Sequence, residues 1–113
     1  MVLHITEDLM MSSNASSAAR AAGHKFKFVA SWERASHFIS ENEIKYLVID
    51  LQTAGLDLDE IKAGLESLQS RPPTLAYAQH VEVNLLDKAN QCGFDHVMTR
   101  GQAHHRLSEI LSQ

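Results

Sequence analysis

An α/β domain built on an open, five-stranded parallel sheet with helices on both faces is the fold class this sequence predicts, from three observations. Apolar runs of strand length alternate strictly with amphipathic stretches of helix length along all 113 residues. No Gly/Ser linker, low-complexity tract or internal repeat interrupts that alternation, so a single domain spanning residues 1–113 is expected. The run Tyr46-Leu47-Val48-Ile49 is continuously apolar, as a central strand buried on both faces must be, and it ends abruptly in Asp50.

Each element has its own local signal. Val2-Leu3-His4-Ile5-Thr6 is the first strand, and residues 9–22 form a helix that stops at Gly23. Within that helix Ser12-Ser13-Asn14-Ala15-Ser16-Ser17 is the least helical stretch, expected as a polar outer face open to fraying. Lys25-Phe26-Lys27-Phe28-Val29 alternates charge and apolar bulk with period two, which places the second strand near a sheet edge. Ser31 has the side chain of a helix N-cap, and Ala35, Phe38 and Ile39 recur on one helical face after it. After the third strand and the Ala54-Gly55 turn, Asp57, Asp59 and Glu60 mark a helix N-terminus, where carboxylates meet the positive end of the dipole. Ile61, Leu65 and Leu68 supply its buried stripe, and Pro72-Pro73 ends it. Thr74-Leu75-Ala76-Tyr77-Ala78 is the fourth strand, and a helix around Val83–Gln91 closes at Gly93. His96-Val97-Met98-Thr99 is the fifth, with Leu107, Ile110 and Leu111 lining a final helix. Ligands of open parallel sheets sit at the carboxyl ends of the strands. The residues of interest are therefore Glu7, Asp8, Asp50, Ala78, Gln79, His80, Thr99, Arg100 and Gly101.

Composition removes several function classes. With 44% hydrophobic and 21% charged residues the chain is ordinary globular material rather than a disordered segment. Its ten Lys and Arg are scattered singly against 14 Asp and Glu, so no concentrated basic patch exists to grip nucleic acid. The single cysteine, Cys92, allows no intramolecular disulfide and no cysteine metal knuckle, which suits a reducing, cytoplasmic address. Glu7-Asp8 follows directly on the first apolar residues, unlike a signal peptide, and no apolar run approaches the roughly 18 residues of a membrane span. The five glycines form neither a dinucleotide fingerprint nor a P-loop, and the acidic Glu7-Asp8 would repel a flavin phosphate. Seven histidines show no His-Glu-x-x-His and no Cys/His metal spacing, and no nucleophile–base pair is readable, so a non-enzymatic role is expected.

Three stretches together resemble the receiver domains of two-component response regulators, in their flavodoxin-like five-stranded form. Leu47-Val48-Ile49-Asp50-Leu51-Gln52-Thr53-Ala54-Gly55-Leu56-Asp57 is similar to the receiver strand, phosphoacceptor aspartate and following loop. Pro73 through Ala78 matches the fourth strand, and Gly93-Phe94-Asp95-His96-Val97-Met98-Thr99-Arg100 the small-residue turn, fifth strand and terminal lysine. The resemblance implies that Asp50 is the phosphoacceptor position and that Arg100 stands where the family has lysine. It places Glu7 as the second member of the acidic pair that helps hold Mg²⁺, with Thr6 where the first acid belongs and Asp8 as a substitute if the loop shifts by one. Ala78 falls at the hydroxyl-switch position and Val97 at the aromatic-switch position. Gly101 replaces the usual proline, so no cis bond is expected there, and Thr53-Ala54 replaces the common Met-Pro.

These departures point to a degenerate pseudo-receiver. It is expected as a stand-alone module acting by protein–protein contact, with a histidine kinase, another signalling protein or a second copy as partner. The surface implied is that of the fourth helix, fifth strand and last helix, around residues 83–86 and 104–111. The alternative is a working phosphorelay receiver that takes phosphate on Asp50 with Mg²⁺ held by Glu7, Asp8 and Asp50. A second alternative is a flavodoxin-like small-molecule-binding domain.

Overall fold

The structure, a computed structural model, describes residues 1–113. Ten elements alternate without exception: β1 (Val2–Ile5), α1 (Leu9–Ala21), β2 (Phe26–Val29), α2 (Trp32–Glu41), β3 (Tyr46–Asp50), α3 (Leu58–Glu66), β4 (Thr74–Ala78), α4 (Val83–Gln91), β5 (His96–Thr99) and α5 (Arg100–Leu111). The strands form one parallel sheet in the order β2-β1-β3-β4-β5. The strand order reverses direction between β1 and β3, which opens a crevice at their carboxyl ends. No helix is long and apolar enough to cross a membrane.

Side chains alternate across the strands, so the sheet divides two cores. Leu3, Ile5, Leu47, Ile49, Ala76 and Ala78 pack against Ala35 of α2, Ile61 and Leu65 of α3, and Ala89 of α4. On the other face Val2, Tyr46, Val48, Leu75, Tyr77 and Met98 meet Met11, Ala15 and Ala19 of α1 and Ala103, Leu107 and Ile110 of α5. β2 is the edge strand its alternation predicts, with Phe28 exposed.

Three local differences from the sequence reading have physical causes. The serine-rich stretch of α1 is continuous helix rather than a frayed end, because Met11, Ser12, Ala15, Ala18 and Ala19 are buried along one side. Small residues there let α1 lie close to α5, where the Asn14 amide donates to the His104 carbonyl at 3.4 Å. Thr6 lies one residue beyond β1, at the head of the loop into α1. α5 begins at Arg100, well before its apolar stripe, because Thr99 caps it and shares a reciprocal capping box with Gln102. Gly23 and Gly93 take φ of +83° and +77° just beyond α1 and α4, the left-handed turn that ends a helix without a Cβ penalty. All peptide bonds are trans, including that before Gly101.

Candidate functional site

The carboxyl ends of β1, β3, β4 and β5 converge on Asp50, the last residue of β3, which is 9% exposed. Both of its carboxylate oxygens are partnered. Oδ2 accepts from the Thr6 hydroxyl at 2.8 Å, and Oδ1 accepts from the Gln52 backbone N–H at 3.0 Å. The Thr6 oxygen accepts in turn from the Asp8 N–H at 2.9 Å. Thr6 thus ties the loop after β1 to the end of β3.

Asp8 has two tasks. Its Oδ1 accepts from the N–H groups of Met10 and Met11 and caps α1. Its Oδ2 accepts from Arg100 Nη2 at 2.5 Å, an ion pair with the two side chains 31% and 35% exposed. The Arg100 hydrogen bond, foremost among several causes, holds the Asp8 carboxyl below its ordinary range. The Asp8 partner likewise keeps the guanidinium more firmly protonated.

Two further contacts complete a ring of loops around Asp50. Glu7 turns outward, and its Oε1 accepts from the Ala54 N–H at 2.8 Å. The Gln52 side-chain carbonyl accepts from the Gln79 N–H at 2.8 Å, joining the loops after β3 and β4. Between the loop after β4 and the start of α5 lies an open cleft of about 420 Å³ lined by Gln79, His80, Val81, Thr99, Arg100 and Gly101.

Of the acids that the sequence grouped as tentative metal ligands, Glu7, Asp8 and Asp50 each face different partners. No three His, Cys, Asp or Glu side chains gather as a metal site. Ala78 is fully buried and Val97 partly so, and both pack into the α2/α3/α4 core. Of the residues 104–111 that the resemblance put on a contact surface, Leu107, Ile110 and Leu111 are buried against the α1 side, while His104, His105 and Glu109 are exposed.

Several residues of the site were not legible beforehand. Thr6 was a missing acid in the sequence, yet here it is the donor that holds Asp50. His4 and Tyr77 lie fully buried beneath the site, 2.8 Å apart from Nε2 to the phenolic oxygen. The one available signal was a histidine at an inward position of an apolar strand.

The architecture recurs among solved structures. A receiver domain of NtrX from Brucella abortus superposes with a TM-score of 0.78 at 18% identity, covering 99% of this chain and 98% of that one. The receiver domain of a sensor histidine kinase from Pseudomonas aeruginosa, solved with magnesium coordinated in its active-site cleft, gives 0.80 at 15% identity over 97% and 92%. Full-length FixJ from B. japonicum gives 0.82 at 20% identity, over 98% of this chain and 55% of that one. The fold is that of a receiver domain. No protein-family model and no curated protein sequence matches the chain. Within this receiver fold, Asp50 occupies the crevice where the strand order reverses, and Arg100 at the start of α5 reaches Asp8 in the loop after β1.

Proposed function

We propose that this protein is a receiver-like signalling module that acts by protein–protein contact, with the pocket of Asp50 satisfied by the chain itself. The observation that carries this reading is the Asp8–Arg100 ion pair beside an Asp50 whose oxygens already accept from Thr6 and Gln52. Mg²⁺ demands a near-octahedral set of oxygen ligands and is held by one or two free carboxylates together with its waters. Here Thr6 offers a hydroxyl already donated to Asp50, both oxygens of Asp8 are engaged, and Glu7 is turned to Ala54. These residues do not fit a resident Mg²⁺. Arg100 supplies the local positive charge instead, and its planar fork is committed to a carboxylate where a compact ammonium would be mobile.

Amide-resolved NMR with Mg²⁺ and then beryllofluoride, on wild type and Asp50→Asn, tests the reading. No saturable shift around Glu7, Asp50 and Arg100 is expected. Saturable shifts lost in Asp50→Asn, or an Asp50-dependent phosphate adduct after acetyl phosphate, would instead establish a working phosphoacceptor. For the contact surface, alanine substitution at Val83, His104, His105 and Glu109 should abolish partner capture or self-association. Retention of every contact in all four variants would remove that face from the proposal. A precedent for self-association exists in the beryllofluoride-activated NtrC4 receiver, which is a dimer in solution.

A further inference from the structure

We propose that the free edge of β2 is a docking strand, to which an extended segment of another protein with alternating apolar and acidic residues is added beside α1. Docking there rests on no property of Asp50 and gives the module a second contact face, at the opposite edge of the sheet from β5.

β2 pairs only with β1, so one side of its backbone is open. The carbonyls of Lys25 and Val29 accept from the N–H groups of Val2 and Thr6 at 2.7 and 2.9 Å. Backbone direction alternates residue by residue along a parallel ladder, so Lys27 also faces β1 while Phe26 and Phe28 turn their N–H and C=O groups outward. Side chains alternate as well. Phe26 packs against the α1/α5 core, and Phe28, on the same side, is 41% exposed. Lys27 lies on the other side, its ammonium 5.4 Å from the centre of the Phe38 ring of α2. An open groove of about 520 Å³ lies between α1 and this edge. Leu9, Phe26 and Phe28 supply its apolar lining, Ser12 and Ser16 keep the helical wall low, and no acid lines it.

The chemistry of the segment follows from charge. Residues 9–32 carry Arg20, Lys25 and Lys27 and no Asp or Glu, whereas the rest of the chain sets seven Lys and Arg against all 14 acids. These three side chains are exposed, and none forms an ion pair within the chain. A second copy's β2 would bring Lys25 and Lys27 against their own kind, which is how lysine blunts a sheet edge against self-pairing. An acidic segment is drawn in instead. Its carboxylates fall on the face of Lys25 and Lys27, and its apolar side chains cover Phe28 and Leu9 on the α1 face. Main-chain hydrogen bonds to Phe26 and Phe28 hold it in register.

Amide-resolved NMR of the protein with a capped octapeptide of alternating valine and glutamate tests the proposal. Saturable shifts should fall on α1 and β2. At saturation, hydrogen exchange should slow several-fold at the Phe26 and Phe28 amides, while Lys27, whose N–H faces β1, is unchanged. Replacing glutamate by lysine in the peptide should abolish the shifts. Lys25→Glu combined with Lys27→Glu should weaken the acidic peptide by about tenfold, in a protein whose unbound spectrum shows β2 still paired. No response to the acidic peptide, equal binding of the lysine peptide, or shifts without slower exchange at Phe26 and Phe28 would each overturn the proposal. So would the same shifts on raising protein concentration alone, which assign the edge to a second copy. Broadening of these amides by phosphatidylglycerol vesicles in place of a peptide response would overturn it in favour of a membrane. Beryllofluoride and the α4/α5 alanine variants report on the proposed function separately, so either idea can fail alone.

Discussion

Asp8 shows how much one side chain near a strand end can carry. It caps α1, holds Arg100 and sits one loop from Asp50. Asp8→Asn keeps an oxygen for the cap but removes the charge, whereas Asp8→Ala removes both. Because the pair is about one-third exposed, solvent screens it, and the Asn variant should lose no more than about 1 kcal/mol. The Ala variant should lose about 1 kcal/mol more through the missing cap, read as urea midpoints. His4 sets the pH dependence. Its folded pKa is lowered to about 4 from 6.5, so as pH falls below 6.5 the unfolded chain takes up a proton that the folded chain refuses. Stability from this residue is therefore complete above pH 6.5, drains away down to about pH 4, and amounts to about 3 kcal/mol. Urea unfolding at a series of pH values should show that slope in wild type and its absence in His4→Leu. Asp8, with its folded pKa depressed, adds a loss that belongs to more acid solution, as pH falls through its folded value. At this scale the sequence was only partly legible. An acid before Leu9, Met10 and Met11 signals a cap, but its pairing with a residue 92 positions away depends on tertiary closure.

The elements were the most legible level, because each combined a period with a terminator. β4 spans the residues expected of it, Ser31 and Asp57 cap α2 and α3, and Gly93 follows α4. What local pattern could not supply was contact between helices. Gly64, in the last turn of α3, is such a case: a Cβ there would lie 2.6 Å from the Trp32 ring of α2. Glycine in a helix interior ordinarily costs about 1 kcal/mol relative to alanine, so helix propensity alone recommends Gly64→Ala. The ring contact reverses that expectation. Gly64→Ala should lower stability by about 1 kcal/mol as Trp32 is pushed from its seat, with a change in tryptophan emission. In a Trp32→Ala background the same substitution should become stabilising by about 0.5–1 kcal/mol. Comparing the four proteins in a double-mutant cycle measures the contact itself.

At the scale of the molecule, the sheet is a partition between two cores that share no side chain. Ile61 and Ile110 are fully buried on opposite sides of it. Ile61→Val and Ile110→Val should each cost about 1 kcal/mol, and the double variant should equal their sum within about 0.5 kcal/mol. A larger coupling in urea unfolding would show that strain crosses the sheet. The parallel architecture was readable as a whole because strictly alternating elements and a doubly buried third strand leave few other topologies. The closure of the site was not readable, since it rests on loop contacts such as Glu7 to Ala54 and Gln52 to Gln79 that no spacing rule encodes. The partition also makes the domain a convenient chassis for retrofitting. A hydroxyl installed at Ala78 and a bulky ring at Val97 would be built into one compartment, leaving the packing around Tyr77 in the other unaltered.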